Sequence, residues 1–69
     1  MKGENTMRIS LKAARVNKNL SQTDVAVALN VTRKTVGAWE SGKSIPKVDK
    51  IEPLCNILGV KYDDIQWTV

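Results

Sequence analysis

Residues 20–45, LSQTDVAVALNVTRKTVGAWESGKSI, decide the fold of this 69-residue chain. Ser21 precedes Gln22, Thr23 and Asp24. A serine hydroxyl there can accept an orphan amide of a first helical turn, and the aspartate three residues on complements the helix N-terminus. A helix is predicted to start at this point, with Val25, Ala26 and Leu29 facing inward and Ala26 small enough to let a crossing helix come close. Asn30 tolerates the left-handed conformation better than any residue but glycine, which predicts the stop. Thr32 then caps a second helical pattern running to about Glu40, with Val36 and Trp39 three apart on one face and Gly42 as a positive-φ end. This second helix opens with Thr32, Arg33 and Lys34 on a side that apolar packing does not use. Gly37 has two readings, close approach to another backbone or to a ligand, and a tolerated glycine that costs ~1 kcal/mol against alanine.

Outward from this stretch, Gly and Pro punctuate the chain at intervals suited to short helices. A first helix is expected over roughly residues 10–18, with Ile9, Leu11, Ala14 and Val16 apolar and Lys12, Arg15 and Lys18 keeping their cationic heads outside. Asn19 is its expected left-handed stop. After Pro46 a helix with Ile51, Leu54, Cys55 and Leu58 inward is opened by Asp49 and Glu52 in capping-box order and stopped by Gly59. Pro53 lacks an amide hydrogen and is tolerable only near a first turn, so the start is placed at Asp49 or later. Asp63 and Asp64 are read as the first turn of a short terminal helix within residues 62–66. Trp67, Thr68 and Val69 remain as an apolar-polar-apolar tail that invites a partner surface. The expected fold is all-α, five short helices in one domain over residues 1–69, with residues 1–7 a frayed N-terminus and 66–69 a C-terminal tail.

Composition bounds the function. A chain this short buries a modest core, so stability is expected to rest partly on a partner chain. With 42% hydrophobic residues it is not compositionally disordered. No apolar run approaches the roughly 18 residues of a membrane span, and MKGENTMRIS has no apolar signal-peptide segment. One cysteine, Cys55, makes no internal disulfide and reads as a small buried hydrophobe, which fits a cytoplasmic location. The absence of histidine removes the commonest general base and metal ligand, and a lone Cys builds no thiolate metal site. Adjacent Asp63 and Asp64 point in different directions on a helix and have no third ligand nearby. No enzyme, cofactor, metal or small-molecule ligand is therefore expected. The net charge of +4 favours a polyanionic partner, and two helices locked at an angle with cations at the tip of the second can enter a DNA major groove.

Ser21-Gln22, Asp24-Val25-Ala26, Leu29, Val31-Thr32, Thr35-Val36, the run Trp39 to Pro46 (WESGKSIP) and Leu58-Gly59-Val60 together resemble the lambdoid phage repressor and Cro helix-turn-helix family, also called the XRE family. The likeness covers about residues 8–65, with Asn30 where the family usually has glycine and Pro53 interrupting the fourth helix. It implies a lambda-repressor-like DNA-binding domain with the helix-turn-helix at helices 2 and 3. It further implies that Gln22 touches a phosphate at the N-terminus of helix 2, and that Thr32, Arg33 and Lys34 open the recognition helix. Arg33 can grip guanine O6 and N7 bidentately, while Lys34 suits guanine or phosphate equally. Ala38 lies where the family often reads bases; its methyl meets a thymine methyl or simply makes room. Lys43 and Ser44 occupy a loop that contacts the sugar-phosphate backbone, and Arg15 and Glu40 correspond to a pair tying the first helix to the end of the third. Trp39 reads as core rather than a stacking platform.

The expectation is thus a sequence-specific regulator that binds double-stranded DNA as a homodimer on a pseudo-palindromic operator and represses by occupying a promoter. Activation through polymerase contact stays open, and a phage or prophage repressor, a restriction-modification controller and an antitoxin all suit this size. Tyr62, Trp67 and Val69 are the candidate dimer contacts. The alternative is a protein-interaction module whose aromatic tail binds a toxin or another regulator, with DNA binding secondary; a third class, nonspecific nucleic-acid binding, needs charge spread over the surface.

Overall fold

Four α-helices and a short parallel strand pair make up the computed structural model, which describes residues 8–67. The order is β1 (Ile9–Ser10), α1 (Leu11–Asn17), α2 (Gln22–Leu29), α3 (Arg33–Ser41), α4 (Val48–Leu58), a single 3-10 turn (Tyr62–Asp64) and β2 (Ile65–Gln66). Strands β1 and β2 pair in parallel with Ile9 opposite Ile65 and Ser10 opposite Gln66. The fold is a helical one, but with four α-helices among the described residues rather than the expected five. The terminal helix is replaced by one 3-10 turn, closed where the Lys61 amide donates to Asp64 Oδ2 at 2.9 Å. The chain then extends because Ile65, 1% exposed, must reach the core alongside Ile9. Asp63 and Asp64 lie in the first turn of that 3-10 segment, as read from the sequence.

Capping residues start and stop the helices. Ser10 Oγ accepts the Ala13 amide at 3.0 Å to open α1, and Asn19 takes φ 59° just past its end. Ser21 and Asp24 form a reciprocal box, Asp24 N to Ser21 Oγ at 2.9 Å and Ser21 N to Asp24 Oδ2 at 2.8 Å. Asn30 closes α2 at φ 58°, Thr32 Oγ1 accepts the Thr35 amide at 3.1 Å to open α3, and Gly42 ends it at φ 80°.

Helix α4 departs from expectation. It begins at Val48, one residue before the predicted limit, and its N-cap Lys47 makes no side-chain cap hydrogen bond, so Asp49 and Glu52 form no capping box. Asp49 instead sits within the first turn, where its charge complements the helix dipole. Pro53 lies inside the helix on an exposed position, so the ladder bond it deletes leaves a carbonyl that water can serve.

The core gathers Leu11 and Ala14 of α1, Val25, Ala26 and Leu29 of α2, Val36 and Trp39 of α3, Leu54 and Leu58 of α4, and Ile65. Val16 does not join it: five residues on from Leu11 it lies roughly 140° round the helix and is 51% exposed. Ile9 contributes from β1 rather than from the helix, and Ile51 is half-buried. Cys55 is buried, and burial first, then the charge of Asp64, pushes its thiol pKa up, as befits a packed and unreactive side chain. Trp67, at the start of the tail, has partners within its own chain. It packs on the core, stacks on Tyr62 with ring centroids 5.3 Å apart, and donates from Nε1 to the Tyr62 carbonyl at 3.0 Å. Residues 1–7, Thr68 and Val69 lie outside the described residues. Among the described residues no helix is long and apolar enough to cross a membrane.

Candidate nucleic-acid interface

Three residues, Asn30 to Thr32, carry the chain from α2 into α3. Asn30 supplies the left-handed bend, the Val31 amide donates to the Ala26 carbonyl at 2.9 Å, and the Val31 side chain tucks against the core. Ala26, 3% exposed, lets α3 pack close, while Val36 and Trp39 set the rotation of α3 about its axis. With those two residues turned inward, the opposite side of α3 faces out from its first turn to its last.

Five of the seven residues predicted to meet DNA come together on that side. Gln22, Arg33, Lys34, Ala38 and Lys43 line one open surface depression with Gly37 and Ser41. Arg33, Lys34 and Lys43 are exposed cations, and no carboxylate is among the lining residues, so the depression carries net positive charge. The other two are placed elsewhere. Thr32 is exposed at the elbow, its Oγ1 capping α3 and sharing a 2.8 Å hydrogen bond with Thr35 Oγ1. Ser44 is exposed in the loop after α3, where it lines a neighbouring cleft with Val31, Thr35, Trp39 and Ile45. Ser41 is a lining residue that sequence reasoning missed. Its signal was present, since Lys34, Gly37, Ala38 and Ser41 recur at helical spacing along one face.

Behind the depression lies a polar network. Arg15 donates from Nε to Glu40 Oε2, from Nη2 to Glu40 Oε1 at 3.2 Å and from Nη1 to the Leu20 carbonyl at 2.8 Å. The two side chains are only 11% and 6% exposed, so the pair joins α1, the α1–α2 connection and α3 almost out of water. The hydrogen bond to Glu40 holds the Arg15 pKa above its ordinary value against the opposing effect of burial. Gln22 is tied to α3 by both ends of its side-chain amide. Its Nε2 donates to Glu40 Oε1 at 3.0 Å and its Oε1 accepts from Arg33 Nη1 at 3.2 Å. Nothing local in sequence reveals this, because both partners come from α3.

An elbow of two helices with a cationic outer face on the second is a helix-turn-helix, and the comparisons with known proteins agree. A family model described as helix-turn-helix matches residues 11–65. The chain belongs to this family, in its XRE-type branch. Among its relatives is the 26 kDa repressor protein of Escherichia phage HK022, 50% identical over 38 residues, which cover 55% of this chain and 16% of the phage protein. A prophage-derived uncharacterised HTH-type transcriptional regulator of Bacillus subtilis is 42% identical over 77% of this chain and 49% of its own length. An uncharacterised HTH-type transcriptional regulator of Methanocaldococcus jannaschii is 39% identical over 86% of this chain and 89% of its own length. The chain thus spans about half or less of the first two relatives and nearly all of the third.

Proposed function

We propose that this chain is a sequence-specific double-stranded DNA-binding transcriptional regulator, acting in the cytoplasm as a homodimer and repressing transcription at a pseudo-palindromic operator. The observation that carries this reading is the gathering of Arg33, Lys34 and Lys43 with Gln22 and Ala38 on the outward side of α3, free of carboxylates. In the proposed complex α3 lies in the major groove. Arg33 reads guanine bidentately, Lys34 takes a base or a phosphate, and Ala38 stands over a base edge. Gln22 at the start of α2, and Lys43 and Ser44 beyond α3, meet the backbone and fix the register. Thr32 contributes at the tip of the elbow. Two-fold symmetry of the dimer sets two such helices about one helical turn apart, with Tyr62, Trp67 and Val69 as the proposed contact between copies.

Repression draws support from the name of the phage relative. An interaction module that does not use DNA has no need of three cations grouped about one helix face. Selection of bound sites from random duplexes, followed by titration of the selected and scrambled duplexes, tests the proposal. A recovered two-fold motif bound far more tightly than its scramble supports it; no enrichment over random sequence contradicts it.

A further inference from the structure

A cleft of about 340 Å³ lies between α3 and the start of α4, and the proposed DNA interface uses only one of its residues, Ser44. Val31, Trp39 and Ile45 give it an apolar lining, Thr35 and Ser44 contribute hydroxyls, and its ionisable residues, Lys47 and Lys50, are both cations. We infer that this cleft binds a small anionic molecule, a carboxylate carried on an apolar aliphatic or aromatic body, with Lys50 as its anchor, and that the bound molecule weakens the grip on DNA. The second half rests on the proposed contact of Ser44 with the DNA backbone.

Lys50 is what calls for an anion. It is half-buried, and its Nζ donates to the Leu29 carbonyl at 3.0 Å. Leu29 is the last residue of α2, so the ammonium meets the negative end of that helix dipole. This bond uses one of three donors and supplies no full counter-charge; among the described residues Lys50 forms no ion pair. Its sequence neighbour Asp49 is exposed and is not among the residues lining the cleft. Two N–H donors therefore stay available on a head already held in place, and a charge partly out of water gains more from a counter-ion than one in bulk solvent. The lining selects the rest of the ligand. Trp39 is 6% exposed and Ile45 55%, so a hydrocarbon body in the cleft takes apolar surface of Ile45 out of water, which inorganic phosphate cannot do. A carboxylate bound there also sets negative charge beside Ser44, where the proposed complex puts a phosphate of DNA. Ligand and DNA then oppose one another by the same factor.

The probe is 3-phenylpropionate and the control its neutral amide, 3-phenylpropanamide, each titrated into the isotope-labelled full chain and followed by NMR. The acid is expected to shift the backbone amides of Val31, Thr35, Trp39, Ile45 and Lys50 together with the Trp39 indole N–H, and to bind ~10-fold more tightly than the amide. Lys50→Gln, which keeps a donor for the Leu29 carbonyl but no charge, is expected to remove most of that difference. At roughly ten times its own dissociation constant the acid is expected to raise the Kd for a selected duplex ~10-fold, and the amide at the same concentration to leave it near its starting value. Equal binding of acid and amide, shifts centred on Arg33, Lys34 and Lys43, or no shift at all overturns the site. Should Lys50→Gln fail to fold by urea unfolding, acid against amide on the wild type decides alone. Shifts in the cleft with unchanged duplex affinity overturn the opposition to DNA. Failure to select any duplex overturns the proposed DNA function instead, and the NMR titration of the free protein still decides the site.

Discussion

Arg15 holds Glu40 by two nitrogens of its guanidinium and spends the third on the Leu20 carbonyl, so one side chain of α1 fixes both the entry to α2 and the end of α3. Such a pair gains little net energy over apolar residues of the same shape, but it is expensive to break halfway, since the surviving charge stays out of water without a partner. Arg15→Met is expected to cost about 3 kcal/mol in urea unfolding, and Glu40→Leu a similar amount. The double variant Arg15→Met/Glu40→Leu is expected to recover most of that loss. Losses that simply add would show that the two side chains do not act as a pair.

Gly37 is not required by packing within the free protein. A Cβ there would meet nothing nearer than the Gln22 amide at 3.8 Å, an ordinary contact, and Gly37 is an interior helix position with no positive φ. Gly37→Ala is expected to raise stability by about 0.5–1 kcal/mol, read as a higher urea midpoint with an unchanged slope. Any loss of DNA affinity in this stabilised variant would then report contact between the added methyl and DNA, the close approach that sequence reading left open.

The capping box makes α2 sensitive to acid. The backbone amide of Ser21 first, and its hydroxyl second, hold the Asp24 pKa below its ordinary value. The folded state therefore binds this proton less readily than the unfolded state. The contribution is present above the unfolded pKa, about pH 4, and is lost as pH falls through the lower folded value. Asp24→Asn, which keeps an acceptor for the amide but does not titrate, is expected to be less stable than wild type at neutral pH. The gap is expected to narrow as pH falls below about 4, measured by urea unfolding across the acid range.

The elbow was legible in sequence because its signals are local. Ser21, Asp24, Asn30, Thr32 and Gly42 each act on backbone groups within a few residues, and each takes the role its chemistry predicts. The strand pair was not legible. Two-residue strands carry no periodicity, and Ile9 and Ile65 are separated in sequence by all four α-helices. The start of α4 was obscured by a lysine cap with no side-chain bond and a proline in mid-helix, two features that oppose the usual start signals. Trp67 looked unplaced because its partners, Tyr62 and the core, become neighbours only once the 3-10 turn has formed. The candidate site followed the same rule. The outward side of α3 could be read by helical spacing, whereas the bonds of Gln22 to Arg33 and Glu40, 11 and 18 residues away, belong to tertiary structure.

In the proposed complex Arg33 reads a base while Lys43 holds the backbone. The most direct test compares Arg33→Ala and Lys43→Ala with wild type on a selected duplex, on that duplex with each base pair changed, and across a range of salt. Arg33→Ala is expected to cost about 1–3 kcal/mol at the selected site and to lose preference at one base pair. Lys43→Ala is expected to weaken every duplex alike and to lower the slope of log K against log salt by about one. Equal losses from both variants on selected and random DNA would contradict the account.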